Sequence, residues 1–512
     1  MDKNKFLSIH CHFYQPPRED AYTGEINIQP SAAPFHDWNE RIFQECYKPN
    51  SNAVIVDEYD NVTERVNNYE YLNFNFGATL FHWIKKHHPK TYELILEADR
   101  KSVKKYNGHG NAIAMVYNHI IMPLANKRDK ITQVYWAIKD FIFHFNRAPE
   151  AIWLPETACN NDTIDVLIDF GFKYIILDPS QAAQTRKIKK GRWKNVTGGK
   201  IDPKMPYRCY RDYEKEKFID IFFYDGPLSR NIAFDDHIYD GIKLRDRLLQ
   251  SIDRKRKGNQ IISSAIDGET FGHHKHFSDR TLAYLFKELI DKSEFENINL
   301  GYYLEKNPPE YEVKIFEGEK GEGTSWSCLH GVGRWKENCG CSGGGEEGWN
   351  QEWRTPLRDA LNFLNDECYK IYEEISSYFL KDPVHARNDY IEIILKPELK
   401  TIEEYFYFNA IKYLNAEESS YCIKLLEMQK YCQLMFTSCG WFFNDISGIE
   451  TIQILQYAAR AIELAKEVSG VNLEPEFLEI LEKAVSNKPE EINGKEIYLK
   501  NFSKKIPDRL IV

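Results

Sequence analysis

The stretch Ile261–His274 reads IISSAIDGETFGHH and joins a short apolar run to a polar segment that begins at Asp267. A second stretch of this kind, AIWLPETA at Ala151–Ala158, places Glu156 just after another apolar run. Each run is typical of a buried strand, and barrel folds carry their chemistry at the carboxyl ends of such strands. The pattern predicts that two carboxylates from different strands meet at one substrate bond, the minimum that glycoside cleavage requires.

Short β-rich runs alternate with helical stretches through the first part of the chain. The predicted strands are Phe6–His10, Ile152–Leu154, Tyr174–Leu177, Phe218–Phe223 and Ile261–Ile266. The predicted helices are Phe76–Lys86, Pro89–Lys104, Lys130–Phe145, Ile164–Phe170, Asp240–Lys257 and Ser278–Lys292. Residues 180–217, rich in Lys and Arg, interrupt this rhythm and are interpreted as an insertion over one strand end. The alternation predicts a parallel α/β fold, and the number of units favours a barrel.

The sequence changes character from about Thr355. Apolar residues recur there at helical spacing, which predicts helices and no strands. These helices are Leu357–Phe379, Thr401–Leu414, Ala416–Leu434, Ile449–Val468 and Glu474–Val485. The segment before them is rich in Gly, Cys and Trp. We therefore predict a catalytic barrel over residues 1–295, a loop region over 296–354 and an α-helical domain over 355–512.

The composition argues against some classes of partner. The net charge is −10 and the pI is near 5.9, whereas a nucleic-acid or anionic-membrane partner favours a basic face. From its first residues we expect no signal peptide, and no apolar run approaches the roughly 20 residues that span a bilayer. Its 11 scattered cysteines are typical of reduced thiols, so we expect a cytoplasmic protein. The sequence predicts no particular oligomeric state.

Two further segments carry polar side chains near predicted strands. His10 and His12 point to one face of a strand, and Gln15 adds an amide. They are interpreted as half a metal site, as ligands of sugar hydroxyls, or as structural histidines. In Gly108–Ala114, glycines flank His109 and Asn111, so the segment is either a close backbone approach to a ligand or a loop without function.

The remaining polar groups cluster in two places. Asp267 and Glu269, with His273, His274 and His276, are interpreted as a divalent metal site, a sugar cleft or a solvated turn. In the loop region, zinc is one hypothesis for the four soft ligands Cys328, His330, Cys339 and Cys341. The alternative is a Gly-rich loop whose tryptophans wall a carbohydrate cleft, at Trp326, Trp335 and Trp349.

Four segments, taken in order, resemble glycoside hydrolase family 57, which contains α-amylases, 4-α-glucanotransferases and branching enzymes. They are HFYQP at 12–16, GHGN at 108–111, WLPE at 153–156, and DGE at 267–269 before Phe271 and Gly272. The resemblance covers about residues 5–280. The Cys/Trp-rich loop after it resembles a branch of that family that shares Ser-Trp-Ser-Cys and Cys-Gly-Cys.

The resemblance implies an incomplete (β/α)7 barrel, a following helical bundle, and a loop region that completes the cleft. It implies that Glu156 is the nucleophile and Asp267 the acid/base of a retaining enzyme, with no metal or other cofactor in catalysis. The residues expected to bind substrate are His10, His12, Gln15, His109, Asn111, Trp153, Glu269, Phe271, His273, Trp326, His330, Trp335 and Trp349. This sequence lacks the Glu that usually follows the Gly-Asn pair of the second segment, which puts the substrate preference in question.

We therefore predict an enzyme that hydrolyses or transfers α-glucans. One alternative is a metal-dependent polysaccharide deacetylase that uses His10, His12, Asp267 and His273 or His274 as ligands. Another is a carbohydrate-binding protein without catalysis. Two intact acids argue against the second alternative, because a retired site has no physical need for both.

Overall fold

The computed structural model describes residues 4–211 and 214–502, without the side chains of Lys215 and His237. The strands are β1 (Lys5–Phe13), β2 (Ala53–Val56), β3 (Val62–Val66), β4 (Asn73–Phe76), β5 (Ala114–Met115), β6 (Ile152–Trp153), β7 (Tyr174–Leu177), β8 (Ala182–Lys187), β9 (Lys194–Asn195), β10 (Tyr207–Arg211), β11 (Glu214–Phe223), β12 (Gln260–Asp267), β13 (Phe295–Asn297) and β14 (Tyr311–Ile315).

The helices alternate with these strands and then follow them. They are α1 (Trp38–Ile42), α2 (Lys48–Ser51), α3 (Ala78–His87), α4 (Pro89–Lys105), α5 (Lys127–Phe145), α6 (Asn161–Asp169), α7 (Gly226–Phe234), α8 (Gly241–Gln250), α9 (Ser278–Tyr284), α10 (Leu300–Lys306), α11 (Arg354–Ser376), α12 (Pro383–Asp389), α13 (Ile391–Leu395), α14 (Leu399–Asn409), α15 (Ala416–Leu434), α16 (Cys439–Phe442), α17 (Ile449–Ser469), α18 (Glu474–Leu481) and α19 (Gly494–Phe502). The predicted α/β class is confirmed.

The described residues form two compact units that do not follow chain order. Among the described residues, the first covers 4–15, Asn27–Tyr117 and Phe141–Trp326. The second covers Pro16–Ile26, Asn118–Asp140 and 327–502.

Parallel strands follow one another through the first unit. β1 pairs with β12 on one side and with β4 on the other. A parallel bridge from Phe74 of β4 to Ala112 leads to β5, which pairs in parallel with β6. A second parallel bridge, from Ala151 to Tyr174, connects β6 to β7. β7 pairs in parallel with β11. Residues 6–13 of β1 are all buried, as expected for a parallel strand that is covered on both faces.

The insertion at residues 180–217 forms strands that the sequence analysis did not predict. β8, β9 and β10 extend the sheet in the order β7-β11-β10-β14-β8-β9. Along β10 the side chains alternate between buried and partly exposed, so one face of a polar sequence packs inward. A stretch rich in Lys and Arg therefore still forms strands, with β10 inside the sheet and β9 at its edge.

The predicted strands and most of the predicted helices of the first unit are confirmed, but α8 ends at Gln250 instead of Lys257. The side chain of Gln260 accepts from the amide of Asp253 (2.8 Å) and donates to its carbonyl (3.0 Å). These bonds close the turn that returns the chain into β12.

The second unit is helical. The predicted helices appear as α11, α14, α15, α17 and α18, and residues 355–502 contain no strand, as predicted. In the described part of the chain, none of the helices combines the length and apolar character needed to span a bilayer.

Candidate active site

The carboxyl ends of β1, β6 and β12 carry the predicted acids and histidines. The register of β1 pairs His12 with Asp267, the last residue of β12. β6 ends at Trp153, and Glu156 follows in the short turn Pro155–Thr157. Because these strands belong to one run of parallel pairs, the side chains at their carboxyl ends face the same rim.

Glu156 lies in a strained turn. Its φ is 58° and that of Thr157 is 52°, a left-handed backbone that costs about 1–3 kcal/mol per residue. Trp326 contacts this turn twice, because its amide donates to the Glu156 carbonyl and its indole Nε1 donates to Oε2, both at 3.0 Å. The Gln181 amide donates to the Thr157 carbonyl at 2.8 Å. The turn therefore presents a partly exposed carboxylate whose orientation is fixed by neighbouring donors.

Asp267 lies at the end of β12 with its side chain open to solvent. Burial among protein atoms and then the negative charges of Glu269 and Glu156 raise the pKa of Asp267 to about 8. Burial and the two neighbouring carboxylates all act in the same direction, so the surroundings of Asp267 favour its protonated form, which is the form that a general acid needs.

Glu269 is buried beneath this rim. Its Oε1 accepts from the Tyr14 amide (3.0 Å) and from the Tyr47 hydroxyl (2.6 Å). Burial raises its pKa to about 7, against the opposing effect of these hydrogen bonds and of one from Gln15. Glu269 and Gln15 thus lie in the interior, where they support the loop after β1.

A stack of aromatic rings lies beside the acids. The Trp153 ring stacks on His10 (4.8 Å) and His12 (5.1 Å) and meets Trp326 edge-on at 5.2 Å. Asn75 joins the imidazoles, with Oδ1 3.1 Å from His10 Nε2 and Nδ2 2.9 Å from His12 Nδ1. Burial lowers the pKa of both histidines to about 3, so both are neutral. Since His12 Nδ1 accepts from Asn75 in this assignment, its Nε2 carries the proton and serves as a neutral donor.

Two residues at this rim were missed by the sequence analysis. The Tyr224 hydroxyl donates to Asp178 Oδ2 at 2.5 Å, and its ring lies edge-on to Trp326 at 6.2 Å. Burial, then Asp178 and, when it is ionised, Asp267 raise the pKa of Tyr224. Asp178 and Tyr224 come directly after the predicted strands Tyr174–Leu177 and Phe218–Phe223, and that position was the signal available in the sequence.

His109 and Asn111 lie at the opposite end of the strands. His109 bridges Glu150 (2.8 Å) and Glu305 (2.6 Å). Glu150 precedes β6, whereas Glu156 follows it, so the two acids mark opposite rims. Asn111 is buried and donates to two backbone carbonyls at 3.1 and 3.0 Å. The structure therefore does not bring this pair to the rim of the acids.

Phe271 and His273 lie in the segment after Glu269. Phe271 is buried, and its carbonyl accepts from Asn50 at 2.7 Å. The His273 imidazole pairs with the Glu45 carboxylate. Among the described residues, the donors named for a metal-dependent hydrolase (His10, His12, Asp267, His273 and His274) form no group spaced for one ion.

The remaining predicted site residues belong to the second unit. Trp335 is fully buried, and its carbonyl accepts from the Arg358 guanidinium at 3.0 and 2.8 Å. Solvent does not reach this ring, which argues against its predicted role in walling a cleft. Trp349 is partly exposed, and His330 is exposed beside Cys341.

Comparisons with known proteins show which proteins share sequence or fold with this chain. The curated α-amylase 1 of Dictyoglomus thermophilum is 24% identical over 108 residues, which are 21% of this chain and only 15% of that enzyme. An exo-type maltose-forming amylase of Pyrococcus sp. ST04 superposes with a TM-score of 0.70 at 15% identity, over 93% of this chain and 82% of that one. A branching enzyme of Thermococcus kodakaraensis gives 0.53 at 13% identity, over 93% and 90%. At these identities the solved structures show a shared fold.

Two family profiles cover most of the sequence. Residues 349–509 match a domain of unknown function, DUF3536. Residues 1–315, more than half of the chain and including both candidate acids, match glycosyl hydrolase family 57. The protein therefore belongs to glycosyl hydrolase family 57.

Proposed function

We propose that the protein is a retaining glycoside hydrolase or transglycosylase of α-glucans, with Glu156 as nucleophile and Asp267 as acid/base. The proposal rests on two solvent-accessible carboxyls that lie at one rim. The negative charge of Glu156 helps to raise the pKa of Asp267, which favours a proton on Asp267. The amylase and branching-enzyme neighbours support an α-glucan substrate. On this proposal the parallel strands are the incomplete (β/α)7 barrel of the family, and the helical second unit corresponds to its bundle domain.

In the first step, Glu156 attacks the anomeric carbon while Asp267 gives its proton to the leaving oxygen. Retention needs carboxyl groups about 5–5.5 Å apart, whereas inversion needs roughly 6.5–9.5 Å. The Trp326 indole holds Oε2 of Glu156 in place. His12 is neutral, so its imidazole adds no charge beside the two acids.

In the second step Asp267 acts as a base. Formation of the glycosyl ester removes the negative charge of Glu156, which is one cause of the raised pKa of Asp267. The pKa of Asp267 therefore falls in the intermediate, which suits proton abstraction from the acceptor. Water as acceptor gives hydrolysis, and a second sugar gives transfer.

The test is incubation with maltooligosaccharides, glycogen and α-galactosides, with product length and anomeric form read by NMR. We expect α-glucans to react with retention of configuration. Glu156→Gln should lower the rate roughly 10⁴-fold or more, because the nucleophile is lost. The exposed acid Glu93 gives the matched control, Glu93→Gln, which should keep full activity. Inverted product, or near-normal turnover by Glu156→Gln, would contradict the proposal.

A further inference from the structure

The loop after Trp326 gathers four soft ligands within the second unit. One donor atom each from Cys328, His330, Cys339 and Cys341 lies within 4.8 Å of all the others. Nothing in the glycoside chemistry above uses these side chains. Four such donors at one point indicate a metal site.

The distances fit a tetrahedral zinc site. Zn–S bonds of about 2.3 Å and Zn–N bonds of about 2.0–2.1 Å place tetrahedral ligands about 3.8 Å apart for two sulfurs and about 3.5 Å apart for sulfur and nitrogen. The Sγ atoms of Cys328 and Cys339 are 3.8 Å apart. Cys341 Sγ lies 3.5 Å from His330 Nδ1. Both pairs therefore already have the separation that a shared Zn²⁺ requires.

The backbone explains how a short loop brings the ligands together. Gly340 separates Cys339 from Cys341 at φ 82°, and Gly331 follows His330 at φ 78°. A side chain at either position would be strained, so the tight turns that aim both ligand pairs inward need glycine.

Charge also fits a bound zinc. Three thiolates and one imidazole around Zn²⁺ leave a net charge of about −1. Arg354 is fully buried, and its Nη1 donates to the Cys341 carbonyl at 2.8 Å. Its guanidinium lies near enough to interact electrostatically with Cys328, Cys339 and Cys341. A buried cation at this point offsets the negative charge, and its hydrogen bond to the Cys341 carbonyl helps to hold that ligand in place.

We propose that Cys328, His330, Cys339 and Cys341 bind one Zn²⁺ in a closed, structural site. Four protein ligands leave no open position for a water or substrate, so the ion takes no part in glycoside cleavage. Binding displaces three thiol protons and pins a Gly-rich loop that contains no strand among its described residues. A Cys328–Cys339 disulfide is the competing state, but it needs its sulfurs at about 2.05 Å and leaves Cys341 and His330 without a role.

The test uses the full chain, produced in zinc-supplemented medium and purified without chelator. Elemental analysis should give about one zinc per chain. Titration of the native protein with a mercurial should release that zinc as three thiols react, read with a metallochromic dye. Exchange with Co²⁺ should give thiolate charge-transfer bands and the intense visible absorption of a tetrahedral site.

The double variant Cys339→Ser, Cys341→Ser should lose the zinc, whereas Cys422→Ala, at a buried cysteine of α15, should keep it. If the variant fails to fold, the mercurial and Co²⁺ measurements on the natural chain still show whether the four side chains bind a metal ion. Absence of zinc and of Co²⁺ bands, or a mass two hydrogens low that reveals a disulfide, would overturn the proposal.

Discussion

At the scale of single residues, Trp326 fixes the orientation of the Glu156 carboxylate. A hydrogen bond from a neutral donor to an ionised carboxylate is stronger than one between neutral groups. The indole donates to Oε2, and the amide of the same residue donates to the Glu156 carbonyl. Trp326 therefore holds both the side chain and the turn that carries it.

Trp326→Phe should keep the ring packing and lose the indole donor. Loss of a hydrogen bond to a charged group costs about 1.5–3 kcal/mol, so we expect kcat/KM on maltooligosaccharides to fall roughly 10- to 150-fold. Trp193→Phe is the control, because Trp193 lies in the insertion at residues 180–217, where its ring packs under Arg186. Equal kcat/KM for both variants would show that the indole does not orient the nucleophile.

The proton on Asp267 should set the alkaline limb of activity. Burial and the charges of Glu269 and Glu156 raise its pKa to about 8, so kcat/KM should decline above about pH 8. Glu269 has a pKa of about 7 and interacts with Asp267, so the limb reports both groups together. Stopped-flow or endpoint rates from pH 5 to about 10 test this, and a limb already complete below pH 6 would contradict it.

The same shift predicts a stability effect with a definite sign. The folded protein holds a proton on Asp267 up to about pH 8, whereas the unfolded chain releases it near pH 3.8. The folded state binds more protons in that window, so this residue makes stability fall as pH rises through it. Asp267→Asn removes the effect. The Tm of the variant minus the Tm of the natural protein should therefore increase as the pH rises from 4 to 8. A difference in Tm that is constant with pH would refute the shift.

At the scale of elements, the end of β12 packs closely on β1. A Cβ built at Gly268 would lie 2.2 Å from two ring atoms of Phe13, which is itself fully buried. Such an approach admits only glycine unless the ring moves. Asp267 precedes this glycine, so the packing of the two strands sets the position of the proposed acid.

Gly268→Ala should therefore damage both stability and rate. Overpacking costs about 1–3 kcal/mol, and a displacement of about 1 Å at a catalytic group costs roughly 10²-fold in rate. Gly258→Ala is the matched control, because nothing lies within 4 Å of the Cβ it would add. Thermal melts and kcat/KM of both variants test the argument, and indistinguishable behaviour would count against it.

The sequence predicts best the strands whose apolar runs are clearly separated from other apolar segments. β1, β7 and β12 are short buried runs bounded by polar residues, which is the clearest strand signal. β4 was missed because it is four residues long, alternates Asn with Phe and adjoins α3. Such a segment becomes a strand because it pairs with a neighbouring strand, here β1, and a single sequence does not reveal that partner.

The same reasoning applies to the site. The sequence predicts Glu156 and Asp267 as candidate acids because each comes just after a short apolar run. Tyr224 and Asp178 follow strands too, but their role depends on a hydrogen bond between them that the sequence does not show. The sequence does not show at which end of the strands His109 and Asn111 lie, because Gly-flanked polar residues occur in loops at either end.

At the scale of the whole molecule, chain order does not define the compact units. Residues 118–140 pack with the helical unit, although they lie more than 180 residues before its main segment. Asp129 shows the cause, because it pairs with Arg387 and Arg128 and accepts from Asn365 at 3.0 Å. Such long-range partners leave no periodicity in the sequence, so composition alone could not place this segment.

Asp129→Asn should destabilise the second unit strongly. Arg387 is almost fully buried, and removing one partner of a buried ion pair costs about 3–5 kcal/mol. Glu373→Gln, at an exposed position of α11, should change stability by less than about 0.5 kcal/mol. Urea unfolding of both variants gives the comparison, and a loss below about 1 kcal/mol for Asp129→Asn would contradict the argument.

The identity of the nucleophile is the central claim, and trapping it is the most direct measurement. A slow, fluorinated α-glucosyl fluoride should accumulate the covalent intermediate, and peptide mass spectrometry then locates the sugar. We predict one fluoroglucosyl group on Glu156, formed as the anomeric fluoride leaves, and none on Glu156→Gln. A sugar on another residue, or steady turnover of this reagent with inversion and no adduct, would contradict the account.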